Sequence, residues 1–169
     1  LSASNVTIGK HAYRRQLAES QSARLIGAYV YTAAGYGEST TDLAWDGDAF
    51  VYENGRLLAQ SERYAMDDQL VLADVDLEQL AADRLRMTSF TDCATDHRTH
   101  DLRTVELTLG LDGIAPALDR HVDRFPFVPD DAARLAQDCY EAYNIQVSGL
   151  EQRLRAIGGG DPARMPKIV

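Results

Sequence analysis

Residues 48–61 read Asp48-Ala49-Phe50-Val51-Tyr52-Glu53-Asn54-Gly55-Arg56-Leu57-Leu58-Ala59-Gln60-Ser61. Two apolar runs flank Glu53-Asn54-Gly55, and Asn-Gly accepts the positive φ that both central positions of a tight hairpin demand. The pattern predicts two antiparallel strands. Upstream, Ala28-Tyr29-Val30-Tyr31-Thr32-Ala33 is aromatic and β-branched and predicts a buried strand, ended by Gly35 and Gly37. Residues 38–46 form a polar loop carrying Trp45, the only tryptophan. Lys10 to about Gly27 lacks proline and predicts a helix. Tyr13, Leu17, Ser20 and Arg24 share one of its faces, and Ala18, Ser22, Leu25 and Ile26 line another. Its small residues suit close packing on a sheet. Residues 1–9, with the cap-formers Ser2, Ser4, Asn5 and Thr7, read as the exit of a strand into a loop.

Downstream of the hairpin, Leu70-Val71-Leu72-Ala73-Asp74-Val75 predicts a further strand. Asp76 is placed to cap a helix over about 77–87, with Leu77, Leu80, Ala81 and Leu85 on one stripe. The character changes after Phe90. Residues 91–129 are polar, then broken by Pro116, Pro126 and Pro129, and read as an interdomain linker with one short strand at Val105–Leu109. Pro129-Asp130-Asp131 opens a long helix with acids at the positive end of its dipole. Leu135, Cys139, Ala142, Gln146, Leu150, Leu154 and Ile157 form a stripe at spacing 3–4 that Gly158-Gly159-Gly160 ends. Residues 165–169 look like the start of a strand.

The 169 residues carry 17 basic and 26 acidic side chains, a net charge of −9. The negative charge is spread out and no basic block exists to neutralise phosphates, which argues against nucleic acid as a partner. With 45% hydrophobic and 25% charged residues the composition is that of a globular protein. No apolar run approaches the ~20 residues of a membrane span. The chain starts at Leu1 rather than Met, as if cut from something longer. Cys93 and Cys139 stand 46 positions apart with no CxxC. Reduced thiols in a cytoplasmic protein are the simplest reading.

Chemistry-bearing residues are few. Cys93, Asp96, His97 and His100 fall within eight positions, yet their spacing matches no usual zinc pattern, and a solvated charged loop is expected in place of a metal site. Cys139 lies on the apolar stripe, so packing is its expected role. His11 and His121 are isolated and expected to be exposed. No glycine-rich phosphate loop opens a helix.

Several stretches carry a resemblance. Leu1-Ser2-Ala3-Ser4-Asn5, Ile8-Gly9-Lys10, Arg14-Arg15 and Ser20-Gln21-Ser22-Ala23-Arg24 resemble the segment after the nucleophile in the nitrilase superfamily. Trp45-Asp46-Gly47-Asp48-Ala49-Phe50 and Tyr52-Glu53-Asn54-Gly55-Arg56-Leu57-Leu58-Ala59 resemble its final hairpin. More specifically, residues 37–47 are similar to glutamine-dependent NAD synthetases of the actinobacterial type. So are Arg84-Leu85-Arg86-Met87, Arg124-Phe125-Pro126-Phe127-Val128-Pro129 and Cys139-Tyr140-Glu141-Ala142-Tyr143-Asn144-Ile145-Gln146-Val147-Ser148-Gly149-Leu150.

The resemblance implies an α/β fold. Residues 1–90 would be the C-terminal half of a nitrilase-like (carbon-nitrogen hydrolase) α-β-β-α sandwich, 91–129 a linker, and 130–169 the start of an α/β nucleotide-binding synthetase domain. It implies a ligase that adenylates deamido-NAD with ATP and Mg2+, using ammonia that the glutaminase half releases from glutamine. A homo-oligomer in the cytoplasm is expected, with the remaining parts of the same polypeptide as partners. The family's Glu–Lys–Cys triad has no counterpart here: no acid precedes Glu19, and the only lysines are Lys10 and Lys167. The synthetase's Ser-Gly-Gly-Leu-Asp-Ser loop would begin after Val169. No catalytic residue, cofactor or metal ligand is therefore assigned to this chain, and alone it is expected to be inactive. By the same resemblance Ser4 hydrogen-bonds the α-amino or carboxylate end of glutamine, and Lys10 faces the carboxylate. Ser4 as a helix cap and Lys10 as a solvated residue are the structural alternatives. A stand-alone nitrilase-type amidohydrolase would not need the helix of 130–157; a non-enzymatic interaction module is the remaining alternative.

Overall fold

A computed structural model describes residues 5–38, 43–98, 103–108, 110, 117–122, 124–125 and 128–157. The chain divides into two compact units, Leu1–Arg120 and His121–Val169. In the first, helix α1 (Lys10–Leu25) precedes strands β1 (Ala28–Thr32), β2 (Ala49–Glu53) and β3 (Arg56–Gln60), then helices α2 (Leu77–Leu85) and α3 (Thr88–Asp96). The strands form an antiparallel sheet in the order β1-β2-β3. The expected hairpin is present: Asn54 and Gly55 hold φ of 45° and 82°, the paired positive values of a type I′ turn.

The register explains the core. Tyr29 stands opposite Tyr52 and Tyr31 opposite Phe50, so these four rings share one face of the sheet. Tyr31 stacks on Phe50 at 4.7 Å, and Tyr52 meets Phe50 edge-on at 5.5 Å. One extra residue on β3, Leu58, interrupts the ladder and leaves Leu57 opposite Tyr52. α1 covers this face with its small residues: Ala18 and Ser22 are buried, while Tyr13 and Leu17 remain exposed. Ser22 Oγ accepts the N–H of Gly55 at 2.9 Å and donates to the Glu19 carbonyl. A side chain on residue 55 would sit 3.3 Å from Ala23, so glycine there serves both the turn and the helix contact.

α1 ends on Ile26 in the left-handed region (φ 44°), with Ile26 N–H bonded to Ala23 O and Gly27 N–H to Ser22 O. The Arg84 side chain of α2 donates to the carbonyls of Leu25 and Ile26, placing a cation at the negative end of α1. Asp76 caps α2 as expected, accepting the N–H of Gln79 at 2.8 Å.

Three expectations are corrected. Residues 70–75 are not a strand: Leu70 and Leu72 point to solvent, and the Asp74 carbonyl is taken by Arg120 instead of a neighbouring strand. Apolar composition alone does not supply a ladder partner. Thr88–Asp96, which runs from the end of the expected first part into the start of the expected linker, is the helix α3, set off from α2 by an extended Met87 and held by Phe90 under the Arg84 guanidinium at 5.4 Å. Residues 105–108 of the expected short strand are exposed and unpaired in any sheet; Leu109 lies outside the described residues.

In the second unit α4 (Ala132–Ile157) follows, capped by Asp131 Oδ1 on the N–H of Arg134. Of its apolar stripe, Leu135 and Leu154 are half-buried, whereas Cys139, Ala142, Leu150 and Ile157 are exposed. Among the described residues no helix is long and apolar enough to cross a membrane.

Candidate functional site

The richest grouping of charge lies where the N-terminal end of α1 meets the approach to β2. Asp46 and Asp48 are both buried, at 0% and 1% exposure. Gly47 between them takes φ of 62°, a left-handed backbone that a residue with a side chain would adopt only under strain. The segment is fixed from both ends: Gly47 N–H donates to Ala34 O, Ala33 N–H to Asp48 O, and Ser61 Oγ joins Gly47 O to Ala49 N–H.

From α1, His11 and Arg14 fall on one face because they are three apart. Arg14 Nη1 donates to both Asp46 oxygens at 3.0 Å and lies 3.6 Å from Asp48 Oδ2, while its Nη2 donates to the Asn5 carbonyl at 2.7 Å. Arg63 Nε donates to Asp46 Oδ2 at 3.1 Å from the other side. His11 Nδ1 meets Asp48 Oδ2 at 2.8 Å. Two buried carboxylates are thus matched by two guanidinium groups and an imidazole, the pairing that buried charge requires. Burial pushes Asp46 up, but the hydrogen bonds and charges of Arg14 and then Arg63 outweigh it, and its carboxyl is held below the usual range.

Above this network a pocket of about 320 Å³ is lined by Val6, Thr7, Ile8, Gly9, His11, Arg63 and Tyr64. Its walls offer a guanidinium, an imidazole and loop backbone, a set suited to an anionic or amide-bearing ligand. Lys10 begins α1 beside it, with Nζ donating to Asn5 Oδ1 at 2.8 Å. Ser4 lies outside the described residues. His11, expected to be isolated and exposed, is half-buried against Asp48; the partner is 37 residues away and has no local signature. His121 is exposed, 3.7 Å from Asp130. Sequence reasoning missed Arg14, Asp46, Asp48 and Arg63 as a cluster, because the two guanidinium partners of Asp46 lie 32 and 17 positions from it.

Cys93, Asp96 and His97 lie along α3 and its C-terminal cap, all exposed, on a helix instead of the expected loop; His100 is outside the described residues. Among the described residues no group of three or more possible ligands converges on a metal site.

Trp45 is half-buried, and Tyr52 is in the core with Tyr31 and Phe50.

No family model matches the chain. Its whole length aligns with glutamine-dependent NAD(+) synthetases of mycobacteria. Identity is 57% over 171 aligned residues for the proteins of Mycobacterium bovis and Mycobacterium tuberculosis, and 56% for that of Mycobacterium leprae. In each case 100% of this chain is covered, but it spans only 24% of the relative.

Proposed function

We propose that this chain is the part of a glutamine-dependent NAD(+) synthetase that joins its two catalytic halves. Residues 1–90 are read as the C-terminal half of a nitrilase-like glutaminase domain, 91–129 as the linker and 130–169 as the start of the synthetase domain. The carrying observation is identity of 57% sustained over the whole chain. On this reading the complete cytoplasmic enzyme hydrolyses glutamine and uses the ammonia, with ATP and Mg2+, to turn deamido-NAD into NAD. No residue of this chain is assigned to ATP, Mg2+ or the glutaminase nucleophile. The complete enzyme is read as a homo-oligomer.

Within this chain, Ser4 and Lys10 are proposed to bind glutamine. Lys10 stands at the positive end of α1, where a cation is unfavourable to the helix dipole and a ligand carboxylate would offset it. Its bond to Asn5 orients the ammonium along the loop that lines the pocket. The buried Arg14–Asp46 pair fixes that loop from beneath through the Asn5 carbonyl.

The test is the full-length enzyme assayed with either nitrogen donor. Ser4→Ala and Lys10→Ala should each lower kcat/KM for glutamine about tenfold or more, the loss of roughly 1.5–3 kcal/mol for a hydrogen bond to a charged group. Ammonia-driven NAD formation should be unchanged. Equal loss with both donors would make the two residues structural. A full-length protein that forms no NAD from either donor would overturn the reading.

A further inference from the structure

Glu53 ends β2 on the sheet face opposite α1 and is buried at 6% exposure. It accepts three hydrogen bonds from two residues. Arg120 grips it end-on, Nη1 to Oε1 at 2.9 Å and Nη2 to Oε2 at 2.6 Å. The backbone N–H of Asp76, the residue that caps α2, donates to Oε1 at 2.6 Å. Arg120 Nη1 also donates to the Asp74 carbonyl, and the Asp74 carboxylate accepts the N–H of Asp119. The second compact unit begins at the next residue, His121.

Such a two-point guanidinium–carboxylate grip fixes direction as well as distance. Both side chains are largely shielded, at 19% and 8% exposure, so water and salt do little to loosen it. A bond across 67 positions, made by the last residue of a compact unit, does what a surface ion pair does not: it sets where the chain leaves that unit.

We infer that Arg120 is a positioning residue, which by gripping Glu53 and the Asp74 carbonyl pins the departure point of everything after residue 120. Its consequence for catalysis rests on the proposed function: nitrogen released before residue 120 must reach chemistry carried out after it.

The test compares full-length wild type with Arg120→Ala and Arg120→Lys. Three rates are measured: glutamate release, NAD formation from ammonia, and NAD formation from glutamine. Hydrogen exchange is followed over residues 74–79 and 117–122. For Arg120→Ala the first two rates should stay within about twofold of wild type. The third should fall by clearly more than about twofold, so that glutamate accumulates in excess of NAD, and exchange should quicken in both segments. Arg120→Lys, which keeps the charge but not the fork, should recover only part of the coupling. Faster exchange with an unchanged glutamate-to-NAD ratio would overturn the inference, as would equal loss of all three rates. Should Arg120→Ala not fold, Glu53→Gln carries the same expectations. A wild-type protein without any of the three activities refutes the proposed function, while the exchange measurement still decides whether Arg120 pins both segments.

Discussion

The hydroxyl of Ser22 and the backbone N–H of Gly55 meet at 2.9 Å, joining the middle of α1 to the tip of the hairpin. Ser22 is 1% exposed, so neither water nor a neighbouring side chain can replace it easily. Ser22→Ala should therefore cost about 1–3 kcal/mol, the penalty of a buried N–H left without an acceptor. Faster amide exchange at Asn54–Arg56 in the full-length protein is the expected sign. Wild-type protection there would show that the turn is held by its own geometry.

Arg14 and Asp46 form a buried pair, and removing Arg14 takes from Asp46 the cation that bonds both of its oxygens, leaving the Arg63 bond to hold a fully buried carboxylate. Arg14→Ala should destabilise by about 3–5 kcal/mol. Arg14→Lys should recover little, since a single ammonium cannot reach both Asp46 oxygens and the Asn5 carbonyl together. Denaturant unfolding of the two variants checks this; full recovery by lysine would mean that charge alone matters.

Glu53 and Asp46 both sit below their ordinary carboxylate range. For Glu53 the Arg120 hydrogen bonds dominate, against burial; for Asp46 burial opposes and Arg14 and Arg63 together prevail. A carboxyl that binds its proton more weakly when folded stabilises the fold above its unfolded value, 4.5 for Glu53. That contribution disappears as pH falls through the lower folded value. The stability difference between wild type and Glu53→Gln should be constant near about pH 6 and shrink towards about pH 3. A difference that grows on acidification would contradict the assignment.

The isolated 169-residue chain should release no glutamate from glutamine and form no NAD from deamido-NAD. Its only lysines are Lys10 and Lys167, and no acid precedes Lys10, so a Glu–Lys–Cys order cannot be assembled. Glutamate above a buffer blank would show that another group in this chain acts as nucleophile.

Features set by neighbouring residues were legible from the sequence. Asn54-Gly55 and the Asp76 cap depend on chemistry within a few positions, and both are present. α3 was hidden because its residues are polar and its support comes from Arg84 on α2. Leu70–Val75 has strand composition, but composition carries no information on whether a sheet edge is free to receive it. The pocket floor was illegible for a related reason: Arg14 and Asp46 are 32 positions apart, and only the packing of α1 on the sheet brings them together.

The Glu53–Arg120 bond also orders events in time. The hairpin closes over a few residues and α1 reaches the sheet over about forty, whereas Arg120 must return across 67 positions to a carboxylate that exists in place only once β2 is paired. Closing such a loop is favourable only after the local contacts have formed. During synthesis the hairpin and α2 therefore assemble first, and the departure point of the second unit is fixed last, when residue 120 has emerged.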